Sequence, residues 1–365
     1  MNTRSSSRTA QAFTIVELLV ATALLALLMI VCVNSVDLVR RSTTNARGKT
    51  QQYRDARKAF ELITQTISQA TLNTYWDYYY SDTASNEAPT DAVKAPTAYI
   101  RQSELQFQSG KAARLIGTPA TQATNPGHAV FFQAPLGLTL DQSSLGSLLN
   151  ARGFAIQFSD DISNRPPFLE EYAVAPRFRY RLIEYRPPAE HSTDFLGNPI
   201  YSNPTDWFRQ DLYKSARVVA DNIILLVLSP RVSAEAARVS KKAEYWIAPN
   251  YTYNSLDVDN ATPQVEKVTV DAAGNTTQGT QHLMPPAITV TMIALDEVSA
   301  KRWAESMGNQ PVDFLSLSGS AFTDASAYTS DLNAVEDWLT AQKFNFETFS
   351  STVVLRNARW DSRTF

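Results

Sequence analysis

The chain is poor in the residues that usually carry chemistry. It has one cysteine in 365 residues, Cys32, so no internal disulfide can form. That thiol lies in the most apolar stretch of the chain, where it acts as a small hydrophobe and says nothing about redox compartment. An excess of positive charge is also missing: 33 Lys and Arg against 36 Asp and Glu leave a formal charge of -3. Such a balance gives no field to hold a phosphate backbone, so nucleic acid is not expected as a partner. The three histidines, His128, His191 and His282, are far apart and have no ligand spacing with Cys or Glu. There is no H-E-x-x-H, no G-x-S-x-G and no phosphate-cradling loop. Neither a catalytic site, a metal nor a cofactor is expected, and the chain is not read as an enzyme. Finally, no proline precedes Pro89, so nothing of that kind interrupts a helix in the first eighty or so residues.

What is present is concentrated at the N-terminus. Residues 1–12 carry Arg4 and Arg8, no acid, and otherwise mainly small and hydroxylic residues. From Phe13 to Val33 the sequence is FTIVELLVATALLALLMIVCV, whose only ionisable side chain besides the thiol is Glu17. As a helix this run reaches roughly 30 Å, the thickness of a bilayer core. A secretory signal would have a shorter apolar core and a small-x-small site after it, and the residues after Val33 supply none. A plain membrane anchor accounts for the length but not for Glu17, since a carboxylate inside such a run is costly without a partner.

The stretch AFTIVELLVATALLALL, Ala12 to Leu28, resembles the class III signal of type IV prepilins and type II secretion pseudopilins. The pattern is a short basic leader, a small residue, Phe13, then Glu17 at the fifth mature position. Where that family has Gly before the cut, this chain has Ala12. The resemblance implies cleavage between Ala12 and Phe13 by a prepilin peptidase, N-methylation of Phe13 by the same enzyme, and pairing of Glu17 with the terminal amine of a neighbouring subunit during assembly. It also implies other pilins or pseudopilins as partners through the N-terminal helix. The expected location is a single pass in the inner membrane with a periplasmic body before assembly, then the pilus or pseudopilus, with the cell surface as its furthest reach.

Further along, Tyr53, Ala56, Phe60, Ile63, Ile67 and Ala70 recur at alternating three- and four-residue spacing, the stripe of one helical face. One helix is therefore expected from Phe13 to about Asn73, and Tyr75 to Pro96 reads as a surface loop. Tyr78, Tyr79 and Tyr80 in that loop could stack on a partner or simply pack down. The chain then turns to strands, expected at Tyr99–Phe107, Ala129–Gln133, Phe154–Phe158, Phe178–Tyr185, Ile223–Leu228, Ile288–Leu295 and Thr352–Ala358. Helices are expected at Asp206–Arg217, Asp296–Met307 and Asp331–Gln342, each opening near an aspartate that can cap it.

The expected fold class is α+β, a long N-terminal helical spine whose first half crosses a membrane, packed on a β-rich, mainly antiparallel body. The expected domains are a leader at 1–12, a transmembrane or filament-core helix at 13–33, its amphipathic continuation at 34–75, and a globular domain at 76–365. The late strand after Pro285-Pro286 resembles the minor pseudopilin J of type II secretion. FSSTVVLRNARW, VVADNIILLVLSP and EDWLTAQ resemble the Verru_Chthon cassette protein C family over most of the chain. Asp257, Asp259 and Asn260 have the oxygen-rich spacing of a calcium ligand set, but the twelve-residue loop pattern is absent and a polar turn is the better reading. The adjacent pairs Asp160-Asp161 and Glu170-Glu171 read as solvated surface. The function implied is a structural or interaction subunit, a minor pilin or pseudopilin. The alternative is an envelope enzyme or binding protein on a pilin-type membrane anchor.

Overall fold

A computed structural model describes residues 15–80, 95–139, 148–188, 207–209, 212–232, 247–257, 269–270 and 276–359. The chain divides into two units, Met1–Gln51 and Gln52–Phe365, which are treated separately. In the first unit and the start of the second, helix α1 spans Ile15–Ser68.

The spine expected from the sequence is not what the structure gives. Crossing a bilayer takes about 20 unbroken apolar residues. Among the described residues, no helix is long and apolar enough to cross a membrane. The C-terminal part of α1 adds length but not apolarity, because Arg54, Asp55, Arg57, Lys58 and Glu61 follow one another on its exposed side. The membrane-spanning assignment of 13–33, the membrane keywords and the single-pass inner-membrane location are corrected accordingly. The α+β fold organised on one spine becomes a mixed fold whose mass lies in β-sheets. Ala12 and Phe13 lie outside the described residues, and so does the side chain of Glu17.

The second unit is built from strands β1 (Tyr75–Tyr79), β2 (Ala98–Gln102), β3 (Gln108–Lys111), β4 (His128–Pro135), β5 (Leu149–Ser159), β6 (Arg179–Tyr185) and β7 (Ala216–Asp221), then β8 (Ile223–Arg231), β9 (Tyr253–Asn254), β10 (Thr269–Val270), β11 (Thr276–Thr277), β12 (Ala287–Leu295) and β13 (Phe346–Val354). Short helices α2 (Ala112–Ile116), α3 (Phe168–Glu171) and α4 (Leu212–Ser215) lie between them, and α5 (Glu297–Ser306), α6 (Phe314–Ser318) and α7 (Tyr328–Ala341) precede the last strand. A six-stranded sheet has the order β7-β6-β5-β4-β3-β9 and a three-stranded sheet the order β13-β12-β8, while β1-β2 and β10-β11 are separate hairpins. Every pairing is antiparallel.

Side-chain alternation explains why the six-stranded sheet sits in the middle. On β4, Val130, Phe132 and Ala134 join a core with β8, β12, the α1 residues Ala56, Ala59, Ile63 and Ile67, and Ala70 just beyond the helix. Ala129 and Phe131 point the other way, into a second core with Ala112, Leu115 and Ile116 of α2 and with Trp207, Phe208 and Leu212. Both faces are covered, so β4 and β8 read in sequence as nearly continuous apolar runs.

Helix α5 begins as its sequence requires, with the Asp296 carboxylate accepting the Ser299 amide proton at 2.7 Å. Asp331 does not cap α7, which opens three residues earlier; its carboxylate accepts from the Phe322 amide at 3.0 Å instead. The helix expected over Asp206–Arg217 is limited to α4, because Ala216 onward pairs with β6, where Arg217 lies opposite Glu184. The last strand is Phe346–Val354 rather than Thr352–Ala358, since all nine of its residues pair with β12. Tyr75–Tyr79, expected as loop, is strand β1, held by pairing with β2.

Candidate interaction surfaces

Two of the surfaces that present exposed large apolar side chains fall on segments marked in the sequence. The first belongs to the N-terminal unit. From Ile15, 82% exposed, to Val36, 50% exposed, all fourteen large apolar side chains are at least half exposed. They are consecutive from Leu27 to Val31, so they surround the helix instead of forming one stripe. A helix apolar on every side is normally covered on every side. Cys32 stands among these residues and is exposed as well.

The second surface is the β1-β2 hairpin. Its register sets Trp76 opposite Arg101 and Tyr78 opposite Tyr99, all on one face. Tyr79, Ala98 and Ile100 point to the other face and form a small core of their own. Of the three tyrosines marked in the sequence, Tyr79 is thus packed inward and Tyr78 outward, with its ring centroid 5.4 Å from that of Tyr99. Trp76 and Tyr99 escape a reading of the tyrosine run alone, because Tyr99 arrives from a strand about twenty residues later.

The groups that might have carried chemistry are structural or isolated. His128 is fully buried, and burial pushes its pKa down to about 4. Burial, with Arg101 nearby, does the same to His282. His191 lies outside the described residues, as do Asp259 and Asn260. Asp257 is half-buried, its pKa is raised chiefly by that burial, and its carboxylate accepts from the Asn254 amide group at 3.1 Å. Among the described residues, no group of three or more His, Cys, Asp or Glu is arranged to hold a metal ion. Asp161 accepts from the Arg177 backbone at 2.9 Å and its guanidinium at 3.2 Å, while Glu170 and Glu171 are solvated on α3. Two recesses, one beside Trp303 and one beside His128, have volumes of about 20 Å³ each. That is room for about one water.

A buried ionic cluster ties together β5, β6 and β7 at one end of the large sheet. Glu184 takes an ion pair from Arg152 at 3.2 Å on one oxygen and a hydrogen bond from Arg217 at 2.6 Å on the other. Arg152 and Glu184 are both almost fully buried, whereas Arg217 is half exposed. This arrangement holds three strands in register; it leaves no acid poised toward solvent.

No protein-family model, no curated protein and no solved structure matches the chain.

Proposed function

We propose that this protein is a structural subunit of a pilin-like assembly, a minor pilin or pseudopilin that joins its neighbours through the N-terminal helix. The observation that supports this best is the helix surface from Ile15 to Val36, apolar on all sides and exposed throughout. Burying one large apolar side chain contributes about 1.5–3 kcal/mol, so a fraction of these fourteen, packed on like helices, offsets the entropy of association. The prepilin-like pattern of Ala12, Phe13 and Glu17 supports the same reading, with prepilin peptidase as the processing partner. The body, with both faces of its main sheet already covered, is the part that such an assembly would display.

Cys32 makes the test direct, because it is the only cysteine and lies on this helix. Oxidation or a short bismaleimide should yield Cys32–Cys32 dimers, or crosslinks to pilin-like partners, in the native host. Leu24→Lys with Leu28→Lys should abolish them while leaving the fold of the body unchanged. Absence of any Cys32 crosslink at native abundance would count against helix-mediated assembly.

A further inference from the structure

The chain passes from the six-stranded sheet to the three-stranded one through a single residue, Asn222, which links Asp221 of β7 to Ile223 of β8. Its φ is +61°, in the left-handed region, and its carbonyl accepts the Leu295 amide proton at 2.9 Å. Its side chain is equally constrained. The Nδ2 group donates to the Glu297 carboxylate at 2.8 Å, and because a carboxylate needs a donor there, the two ends of the amide cannot be exchanged. The Oδ1 atom is thus an acceptor committed to the interior. Asn222 is 1% exposed, and Oδ1 has no partner among the described residues. On α5, Trp303 is 3% exposed, and its Nε1–H, a donor only, is likewise without a partner. Buried polar groups are nearly always met. Asn222 and Trp303 line the same recess, whose volume is about 20 Å³.

We infer that this recess is a binding site for one internal water molecule, which accepts the Trp303 Nε1 proton and donates to Asn222 Oδ1. Size excludes an organic ligand, since the volume admits about one water. Chemistry excludes the small ions. An anion would be repelled by the Asn222 oxygen, and a metal ion or ammonium could not accept from the indole N–H. Arg179, in the same wall, already donates to the Phe178 carbonyl at 2.8 Å and pairs with Glu297 at 3.4 Å. The Trp303 ring meets Tyr180 and Phe314 at 71° and 86°. An N–H directed at either ring would be a weaker contact and would leave Asn222 Oδ1 unmet. With the water in place, α5 holds both ends of the Asn222 amide, Glu297 directly and Trp303 through the water. The helix is thereby pinned to the joint between the two sheets.

The test is a high-resolution crystal structure of the full-length protein, with a second crystal held under xenon. A water about 3 Å from both Trp303 Nε1 and Asn222 Oδ1 is expected. No xenon should enter, because xenon fills cavities that are apolar and dry. A second measurement in solution is the set of urea midpoints for Trp303→Phe, Asn222→Gly and the double variant. Each single change removes one end of the bridge, and glycine keeps the positive φ at position 222. Both single variants should lower the midpoint, and the double variant should fall short of their sum, because one bridge can be lost only once. The inference is overturned by a recess that is empty or takes up xenon, or by an indole N–H directed at the Tyr180 or Phe314 ring. Strictly additive losses in the double variant overturn it equally.

Discussion

The Nδ1 atom of His128 lies 3.0 Å from the amide nitrogen of Leu228 and 3.2 Å from its carbonyl oxygen, and in the neutral tautomer with Nδ1 unprotonated it accepts the amide proton. Leu228 is on β8, the edge of the three-stranded sheet, and the imidazole takes the place that a further strand would fill. The ring is enclosed by Tyr251 at 4.8 Å and Phe322 at 6.5 Å between centroids, and Lys111 faces it across the β3-β4 pair. A protonated imidazole could not accept this bond, and the Lys111 charge adds to the penalty.

A pH dependence follows from that contact. In the unfolded chain His128 binds a proton near pH 6.5, but in the folded protein burial delays this to about 4. Between those values the unfolded state holds more protons, so stability is full above about pH 6.5 and declines as pH falls toward 4. His128 should account for about 3 kcal/mol of that decline, and His282 acts in the same direction over the same window. Urea midpoints measured from pH 7 to 4.5 should show this slope, and His128→Leu should flatten part of it at a lower overall stability. A midpoint independent of pH between 6.5 and 5 would refute the assignment.

Gly153 on β5 should not tolerate a methyl group. A Cβ at this position would overlap the Phe131 ring. That ring cannot retreat, because it is stacked on Phe208 with centroids 3.6 Å apart and planes within 3°. Gly153→Ala should cost about 3 kcal/mol in chemical denaturation, the range of core overpacking. Gly308→Ala is the control: it has a φ of +60° but no neighbour within 4 Å, so only the backbone penalty of about 1 kcal/mol remains.

The cluster around Glu184 should respond unequally to loss of its buried acid and loss of its half-exposed arginine. Glu184→Ala strands the buried Arg152 charge and should cost about 3–5 kcal/mol. Arg217→Ala removes a half-exposed partner and should cost less than about 1 kcal/mol. Equal losses in a double-mutant cycle would mean that the cluster is solvated and not buried.

If the N-terminal helix assembles in the pilin manner, the mature chain should begin at Phe13, with or without a methyl group. Intact-mass analysis of protein from its native host decides this, and retention of Met1 in the main pool would contradict it. Glu17→Leu should still be cut before Phe13, since the cut depends on the leader and Ala12. Cys32 crosslinking to neighbours should drop about tenfold, as the neighbouring amine loses its counter-charge in an apolar core. A Glu17→Leu protein that is processed and crosslinks normally would remove Glu17 from the assembly.

Some of this protein was fixed by local sequence. The run AVFFQ read as a strand and IILLVL as a strand suited to burial on both faces, and they are the centres of β4 and β8. Asp296 announced the start of α5, because a cap needs nothing beyond the next three residues. The apolar surface of Ile15–Val36 was equally plain, since hydropathy is a property of the residues themselves. What that surface meets was not, and the membrane crossing inferred from it is corrected, because among the described residues no helix is both long and apolar enough to cross a membrane. Everything that depended on pairing distant segments was left to the tertiary structure. Tyr75–Tyr79 is a strand only because Ala98–Gln102 returns beside it, and that return is what sets Trp76, Tyr78 and Tyr99 on one face. Ala216 and Arg217, expected at the end of a helix, are drawn into strand β7 by β6, and His128 becomes a cap only when β8, a hundred residues later, brings Leu228 to it. Backbone hydrogen bonds in a helix close within four residues, whereas those in a sheet, and the contacts of a buried ring, are satisfied by partners that no local window of sequence contains.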